Sequence, residues 1–515
     1  MWTCDQPTYC ANCRACASPP PPPPITPNRF DRNPFQSATG WYVNPTYRAL
    51  LMATLPHAVD QQESTALRQM LDVPVAFWVD SKRKIRGPTS HTVDTVEGVL
   101  RNASLSGRPL CVFILYNLPN RDCNAKASSG EICCERTTLG MCDRSGGGGS
   151  GTCDSGLREY RDEFITPIAE LLRQYAEVPT AWIIEPDSLG NLVTNVLDDG
   201  STKCDRATAR GYREGIRMAV RTLAEAAPSS GLYLDAGHGG WLGYETNANK
   251  FAALISELGV APYIRGFSTN VANYQPLGLD ALCPTEAFAS TGSMMHGDGE
   301  SWLGGVSQWC QQPAGRAYRN GGKGCCSFDP CRVLSEGNGG ATEMSFVQTL
   351  QRHFLNTMNW KPRFVIDTGR NGVEHARSSC SSWCNIRGAG AGHVATIATG
   401  LPDVVDAFFW LKTPGESGTP SLASPRMICS YKNHSGSSCL IQRLRVGSYC
   451  FRWVHAQATG RRWRSESRGR LPTIRSGLRR RRLYWRPIRR AKSSGGWGMV
   501  RVSGTDACSQ LQTVP

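Results

Sequence analysis

Three aspartates in this sequence are placed for acid–base chemistry. Asp122, Asp187 and Asp235 each follow a different short apolar run: Leu110–Leu118, Ala181–Ile184 and Leu232–Leu234. If those runs lie side by side as strands, the three carboxyls meet at one rim. Carboxylates brought together raise one another's pKa, so one stays protonated near neutral pH while another stays charged. That division suits cleavage of a glycosidic bond, where an acid must protonate the leaving oxygen. Trp78, Trp241, Tyr244 and Trp383 fall beside run ends or in the loops between them. Aromatic faces stack well on the apolar faces of sugar rings. Taken singly, an Asp here reads as a helix cap and a Trp as core. Together, at so many run ends, they point to carbohydrate chemistry.

The elements that must position these groups recur along the chain. Seven apolar runs end at a polar residue: Val75–Val79 at Asp80, Leu110–Leu118 before Arg121-Asp122, and Ala181–Ile184 at Glu185-Pro-Asp187. The others are Leu232–Leu234 at Asp235, Tyr263–Phe267 before Asn270 and Asn273, Phe364–Ile366 at Asp367, and Ala407–Leu411 at Lys412. Helical patterns lie between several of them, as in Tyr160–Tyr175 and Ala207–Ala226. Alternating strands and helices predict an α/β fold with a parallel sheet. Polar groups at the carboxyl ends of the strands favour a barrel. A doubly wound open sheet would want a Gly-rich loop after the first strand, and Val79-Asp80-Ser-Lys has none.

Composition sets the limits. The chain has 515 residues and a net charge of +15. Residues 440–515 carry a net +16 and the remainder −1, so the charge belongs to one tail and gives no nucleic-acid signature for the body. No apolar run is long enough to span a membrane as a helix. The 22 Cys are scattered. Cys10, Cys13 and Cys16 have no partner block at zinc spacing, so no metal is expected. Adjacent pairs, Cys133 with Cys134 and Cys325 with Cys326, suit disulfide-rich loops in an oxidising, extracellular setting, although no leader-like apolar segment opens the sequence. The sequons at Asn102 and Asn433 agree. The expected division is a Cys-rich remnant and proline linker over 1–30, a globular body over 31–439, and a basic tail over 440–515. Within the body, Cys-rich insertions interrupt the alternation at 133–156 and 278–345.

Four segments carry a resemblance: Tyr116-Asn-Leu-Pro-Asn-Arg-Asp-Cys123, Ile183-Ile-Glu-Pro-Asp-Ser-Leu-Gly-Asn-Leu-Val-Thr-Asn195, Tyr233-Leu-Asp-Ala-Gly-His-Gly-Gly-Trp-Leu-Gly243 and Thr269-Asn-Val-Ala-Asn-Tyr274. They resemble glycoside hydrolase family 6, whose cellobiohydrolases and endoglucanases cut β-1,4-glucan with inversion on a distorted seven-stranded barrel. The resemblance runs from about Gly40 to about Cys429. It implies Asp187 as general acid, with Asp122 tuning that acid and joining a water chain with Ser128. It implies Tyr116 pressing on a distorted sugar, Arg121 steadying the carboxylates, and Asp235 near the bond cut. Trp78, Asp80, His238, Trp241, Asn273, Trp383, Lys412 and Glu416 match glucosyl-binding positions. Cys123–Cys204 and Cys384–Cys429 match the family's disulfides. No cofactor is implied, and the implied partner is a β-1,4-glucan such as cellulose, bound by a monomer.

Two departures matter. The family's usual Gly-Glu-(Ser/Cys)-Asp-Gly-Thr is here Gly415-Glu-Ser-Gly-Thr419, without the Asp often discussed as the base. A catalytically impaired glucan-binding protein is therefore the alternative function. After about Gly436 the family pattern gives way to a basic run, Arg479–Arg482, of the composition that translation in a shifted frame yields. That tail is expected to be poorly ordered.

Overall fold

The computed structural model describes residues 32–415 apart from gaps at 59, 90, 126–127, 138–141, 143–151, 197–203, 279–312, 314–337, 374–375, 378–385 and 387–388, and four short strands beyond. Its centre is a sheet of seven parallel strands in sequence order: β1 (Phe77–Val79), β2 (Cys111–Leu115), β3 (Thr180–Ile184), β4 (Gly231–Asp235), β5 (Gly266–Thr269), β6 (Arg363–Asp367) and β7 (Val405–Phe409). Each of the seven expected runs overlaps one strand; the poorest overlap is Tyr263–Phe267, of which only the last two residues lie in β5 while Tyr263 ends a 3-10 turn. The sheet curls until its edges meet at one parallel bridge, Val75 with Trp410, where the Ala76 N–H donates to the Trp410 carbonyl at 3.1 Å. This is the expected distorted barrel.

The strands read as continuous apolar runs because both faces are covered. In β2, Val112 and Ile114 point into the barrel beside Ala181, Ile183, Tyr233, Val365 and Ala407. Cys111, Phe113 and Leu115 point outward into the layer between sheet and helices. There Phe113 stacks on Trp182 with centroids 4.5 Å apart, and Phe267 stacks on Phe354 at 4.8 Å. The barrel floor is ionic. Arg265, just before β5, grips Asp406 of β7 through two bonds of 2.6 and 2.7 Å, and the Tyr233 hydroxyl donates to the same carboxylate at 2.7 Å. Arg265 and Asp406 are buried, so their charges persist only because they satisfy each other. Phe35 closes the floor against Phe409 and Tyr233.

The helices obey local rules. Arg206–Ala226 starts at Asp205, whose carboxylate accepts the Thr208 N–H at 2.6 Å. Glu343–Met358 starts with a capping box, Thr342 with Ser345. The helical pattern noted near Tyr160 is one helical stretch over Asp154–Glu159, Tyr160–Ile165 and Thr166–Gln174, with its middle wound as a π-helix. The amide of Asn102, in the first sequon, lies on helix Val96–Leu105 and donates to the Tyr42 hydroxyl. Three disulfides are described: Cys123–Cys204, as expected, then Cys133–Cys142 and Cys134–Cys153. Cys384, Cys429, Cys325 and Cys326 lie outside the described residues. So do the Cys-rich start and the proline run.

Toward the C-terminus, across the expected boundary at 439, Tyr431–Lys432, Ser438–Val446, Tyr449–Ala456 and Trp497–Gly498 pair as an antiparallel sheet. Ser438–Val446 and Tyr449–Ala456 mix β-branched, aromatic and long polar residues, and two residues join them, which is enough for a hairpin whatever the segment's origin.

Candidate active site

The carboxyl ends of β2, β3 and β4 bring the three aspartates together. Asp187 opens the helix Ser188–Thr194, and its backbone N–H donates to Asp235 Oδ2 at 2.9 Å. Asp235 is 1 % exposed and also accepts the Gly237 N–H at 3.0 Å. Asp122 is buried, and its Oδ2 accepts the Ser128 N–H at 2.6 Å. Ser128 thus meets Asp122 through its backbone.

Burial, then the charges of Asp235 and Asp122, pushes the Asp187 carboxyl well above the usual carboxylate range. Burial pushes Asp235 up to about 7, against the pull of the two N–H donors. The sequence reasoning named mutual repulsion as the cause. Desolvation is the larger one, and repulsion adds to it.

The backbone here is held in an uncommon state. Asn120, Asp122, Glu185, Asp187, Asn270 and Ala272 all have φ between +52° and +65°. Among the described non-glycine residues only Arg108 and Asn359 join them. Left-handed backbone costs an L-residue about 1–2 kcal/mol. Its concentration at the ends of β2, β3 and β5 marks where the fold spends stability on aiming side chains.

Arg121 lies over the Tyr116 ring, 4.4 Å from its centroid. Its guanidinium donates to the carbonyls of Tyr116, Asp80 (2.6 Å) and Ser128 (2.8 Å). It holds the surrounding loops through their carbonyls, and its charge favours the ionised form of the nearby Glu185 carboxyl. Tyr116 is buried, edge-on to Trp78 at 5.5 Å, and feels the charges of Asp122 and Asp187.

Trp78 and Asp80 sit at the end of β1. The Trp78 indole donates to the Leu411 carbonyl at 2.8 Å, and Lys412 lies over its ring at 4.9 Å. Asp80 pairs with Lys84 at 3.1 Å. Across the rim, His238 precedes the short helix Gly239–Leu242, which carries Trp241. The Trp241 indole donates to Thr194 and lies against Gly190, where a Cβ would come within 2.7 Å of the ring. Burial and the Arg377 charge depress His238 to about 3, so it is a neutral ring. Asn273 accepts from Arg377 at 2.6 Å. Trp383 and Glu416 lie outside the described residues.

Four groups escaped the sequence reasoning as site residues. Glu185 accepts the N–H groups of Asn117 and Leu118 and the Tyr160 hydroxyl, tying β3 to the Asp122 loop; burial pushes it up to about 7. Asp367 accepts from Ala272, Gly369, Leu411 and Lys412, tying β5, β6 and β7 together. Glu343 accepts the Gly239 N–H at 2.9 Å, and burial pushes it up to about 8. Arg377 holds Asn273. Glu185 and Asp367 follow the strand-end rule used for the aspartates. Glu343 and Arg377 come from distant segments, and no spacing reveals them. Among the described residues, no group of His, Cys, Asp or Glu side chains is arranged to hold a metal.

Three carboxyls gathered at one rim, one of them raised by burial and by its neighbours, with partly exposed indoles on both sides, make a site suited to sugar chemistry. Fold and site together define a glycoside hydrolase. The sequence profile of glycosyl hydrolases family 6 matches residues 36–294 and 325–449, most of the chain, and the chain belongs to that family. The 1,4-beta-D-glucan cellobiohydrolase C of Emericella nidulans is 30% identical over 420 residues, 80% of this chain and 74% of that one. Exoglucanase 3 of Agaricus bisporus is 29% identical over 399 residues, 76% and 72% of the two chains. Among solved structures, the catalytic core of cellobiohydrolase Cel6A from Chaetomium thermophilum superposes with a TM-score of 0.55 at 27% identity, covering 77% of this chain and 91% of that one. Endoglucanase CEL6B from Humicola insolens gives 0.53 at 26% identity, covering 75% and 91%.

Proposed function

We propose that this chain hydrolyses β-1,4-glucosidic bonds in cellulose and cello-oligosaccharides with inversion, releasing cellobiose from chain ends. The observation that carries this reading is the meeting of Asp187, Asp235 and Asp122 at one rim, the Asp187 N–H 2.9 Å from Asp235 Oδ2, where burial and the neighbouring charges raise the Asp187 carboxyl. Asp187 protonates the glycosidic oxygen as the bond breaks. Tyr116 lies against the sugar whose anomeric carbon reacts, and water attacks from the opposite face. Asp122, oriented by the Ser128 N–H, takes up the water's proton through solvent. Trp78 and Trp241 hold sugar rings on either side, with Asp80, His238, Asn273 and Lys412 as polar contacts to hydroxyls; Trp383 and Glu416 are assigned to sugar binding as well.

Two named cellobiohydrolases or exoglucanases among the relatives support release from chain ends, and the endoglucanase among the structural neighbours names the competing mode. Three disulfides fit a secreted protein working outside the cell.

Soluble cello-oligosaccharides followed by proton NMR test the proposal. Newly formed α-anomer, with cellobiose as the main product, is the expected result. It would also show that the shortened segment at Ser417 is tolerated and that the base acts through water. A newly formed β-anomer would refute inversion, and mixed longer products would refute action at chain ends. Binding without turnover would establish the glucan-binding alternative instead.

A further inference from the structure

The Cys-rich insertion after Asp122 is not absorbed by the mechanism, yet it is built into the catalytic loop through one residue. Asn120 is 3 % exposed, has φ +55°, and uses every polar group it has. Its N–H donates to the Ile132 carbonyl at 3.0 Å, and its carbonyl accepts the Tyr212 hydroxyl at 3.1 Å. Its side-chain oxygen accepts the Cys134 N–H at 3.1 Å, and its amide donates to Thr208 Oγ1 at 2.9 Å. Cys134 lies in the insertion and Ile132 directly precedes it, and the other two partners lie on the helix Arg206–Ala226.

The insertion is itself fastened to that helix. Cys134–Cys153 presses on Gly211, where a Cβ would lie 2.8 Å from Cys153 Sγ. The Ser155 hydroxyl donates to the Cys134 carbonyl at 2.8 Å. Cys133, next in the chain, is bonded to Cys142. The described part of this insertion thus braces the Asp122 loop through Asn120.

We infer that Asn120 is a positioning residue, through which the Cys134–Cys153 disulfide and the helix Arg206–Ala226 jointly fix Asp122 two residues downstream. The inference rests on the reading of Asp122 as a catalytic carboxylate. Left-handed backbone at both Asn120 and Asp122 leaves the turn between them little freedom once Asn120 is pinned. Cys123–Cys204 holds the other side of Asp122.

The test compares the full-length protein with Asn120→Ala, Asn120→Asp, the double variant Cys134→Ser with Cys153→Ser, and the combination of Asn120→Ala with that double variant. The first readout is kcat and KM on a soluble cello-oligosaccharide. A small misplacement of a catalytic group costs about 10²-fold, so Asn120→Ala should lower kcat by at least about tenfold with KM nearly unchanged. Asn120→Asp keeps the acceptor for the Cys134 N–H and should restore most of kcat. The combined variant should fall short of the product of the separate losses, because both act along one path. The second readout is amide exchange at Ser128, whose N–H is bound to Asp122. It should speed up in Asn120→Ala and in the cysteine double variant while amides in β5 and β6 hold steady.

Unchanged kcat and Ser128 exchange in Asn120→Ala would overturn the inference, as would a loss confined to thermal stability or fully multiplicative losses. If the unaltered protein turns over no glucan, the functional reading fails. Ser128 exchange then still decides whether Asn120 fixes Asp122.

Discussion

Asp235→Asn removes the larger of the two neighbouring charges that add to burial in raising the Asp187 carboxyl. Asparagine has the same shape, and its side-chain oxygen can still accept the N–H groups of Asp187 and Gly237. The Asp187 amide nitrogen lies 2.9 Å from Asp235 Oδ2. The Asp187 carboxyl carbon can be no more than about 4 Å from its own nitrogen, so the two charges lie within about 7 Å. At an effective dielectric constant of about 20, that separation gives about 2.4 kcal/mol of repulsion, or about 1.7 pH units. Solvent reaching the partly exposed Asp187 trims this, and a shift of about one to two units is expected. The pair loses its protons in two coupled steps, and mutual repulsion raises the second. That second step sets the alkaline limb of kcat/KM, because an acid that has lost its proton cannot give it. In Asp235→Asn the limb should therefore move to lower pH. Profiles of kcat/KM on a soluble cello-oligosaccharide, taken with both proteins from pH 3 to 9 in roughly half-unit steps, would measure it. A limb that stays in place or moves up would refute the assignment of Asp187 as the acid and Asp235 as its electrostatic neighbour.

Stability should depend on pH in an unusual direction. Glu185, Asp235, Asp367 and Glu343 are pushed up to about 7, 7, 6 and 8 in the fold. These four groups hold more protons in the native state than in the unfolded chain from about pH 4 to 8, outweighing the one proton that neutral His238 forgoes below about pH 6.5, so unfolding free energy falls as pH rises through that window. Urea midpoints at several pH values should decline across it, and a flat or rising series would count against the burial of these groups. Arg265→Met strands the Asp406 carboxylate on the barrel floor and should cost about 3–5 kcal/mol, with much of the loss regained when Asp406→Leu is added. Denaturant titration of both variants measures this, and equal losses in the two would rule out the pairing as its source. Trp241→Ala should raise KM for a cello-oligosaccharide about 10-fold or more while affecting an aryl glycoside with a good leaving group mainly through binding. An unchanged KM would remove Trp241 from the sugar platform.

The barrel was legible because its strands are buried on both faces, which leaves long apolar runs with a polar residue at each carboxyl end. The three aspartates were legible for the same reason. The ionic floor was not, since Arg265 and Asp406 stand 141 positions apart and each looks like an isolated polar residue beside a strand. The π-helix at Tyr160 was equally hidden, because the apolar spacing of Phe164, Ile168, Ala169 and Leu172 suits an ordinary helix well. Only the fold shows that Tyr160 reaches Glu185 from there. The two disulfides of the insertion were suggested by the doublet Cys133-Cys134, but which partner each takes depends on the helix they lie against.

The sheet's strands do not grip their neighbours equally. Adjacent strands from β1 to β7 share ladders, whereas among the described residues the two ends share one backbone bridge, Val75 with Trp410, beside the Trp78 indole bond to Leu411. A ring with one weak link has a place to begin coming apart. Under tension or denaturant the barrel should unzip there first, shedding β1 with Trp78 and Asp80 while β3 and β4 keep their acids in register. Loss of substrate grip would then precede loss of the catalytic arrangement, and the protein would let go of its polymer before it lost the shape that cuts it.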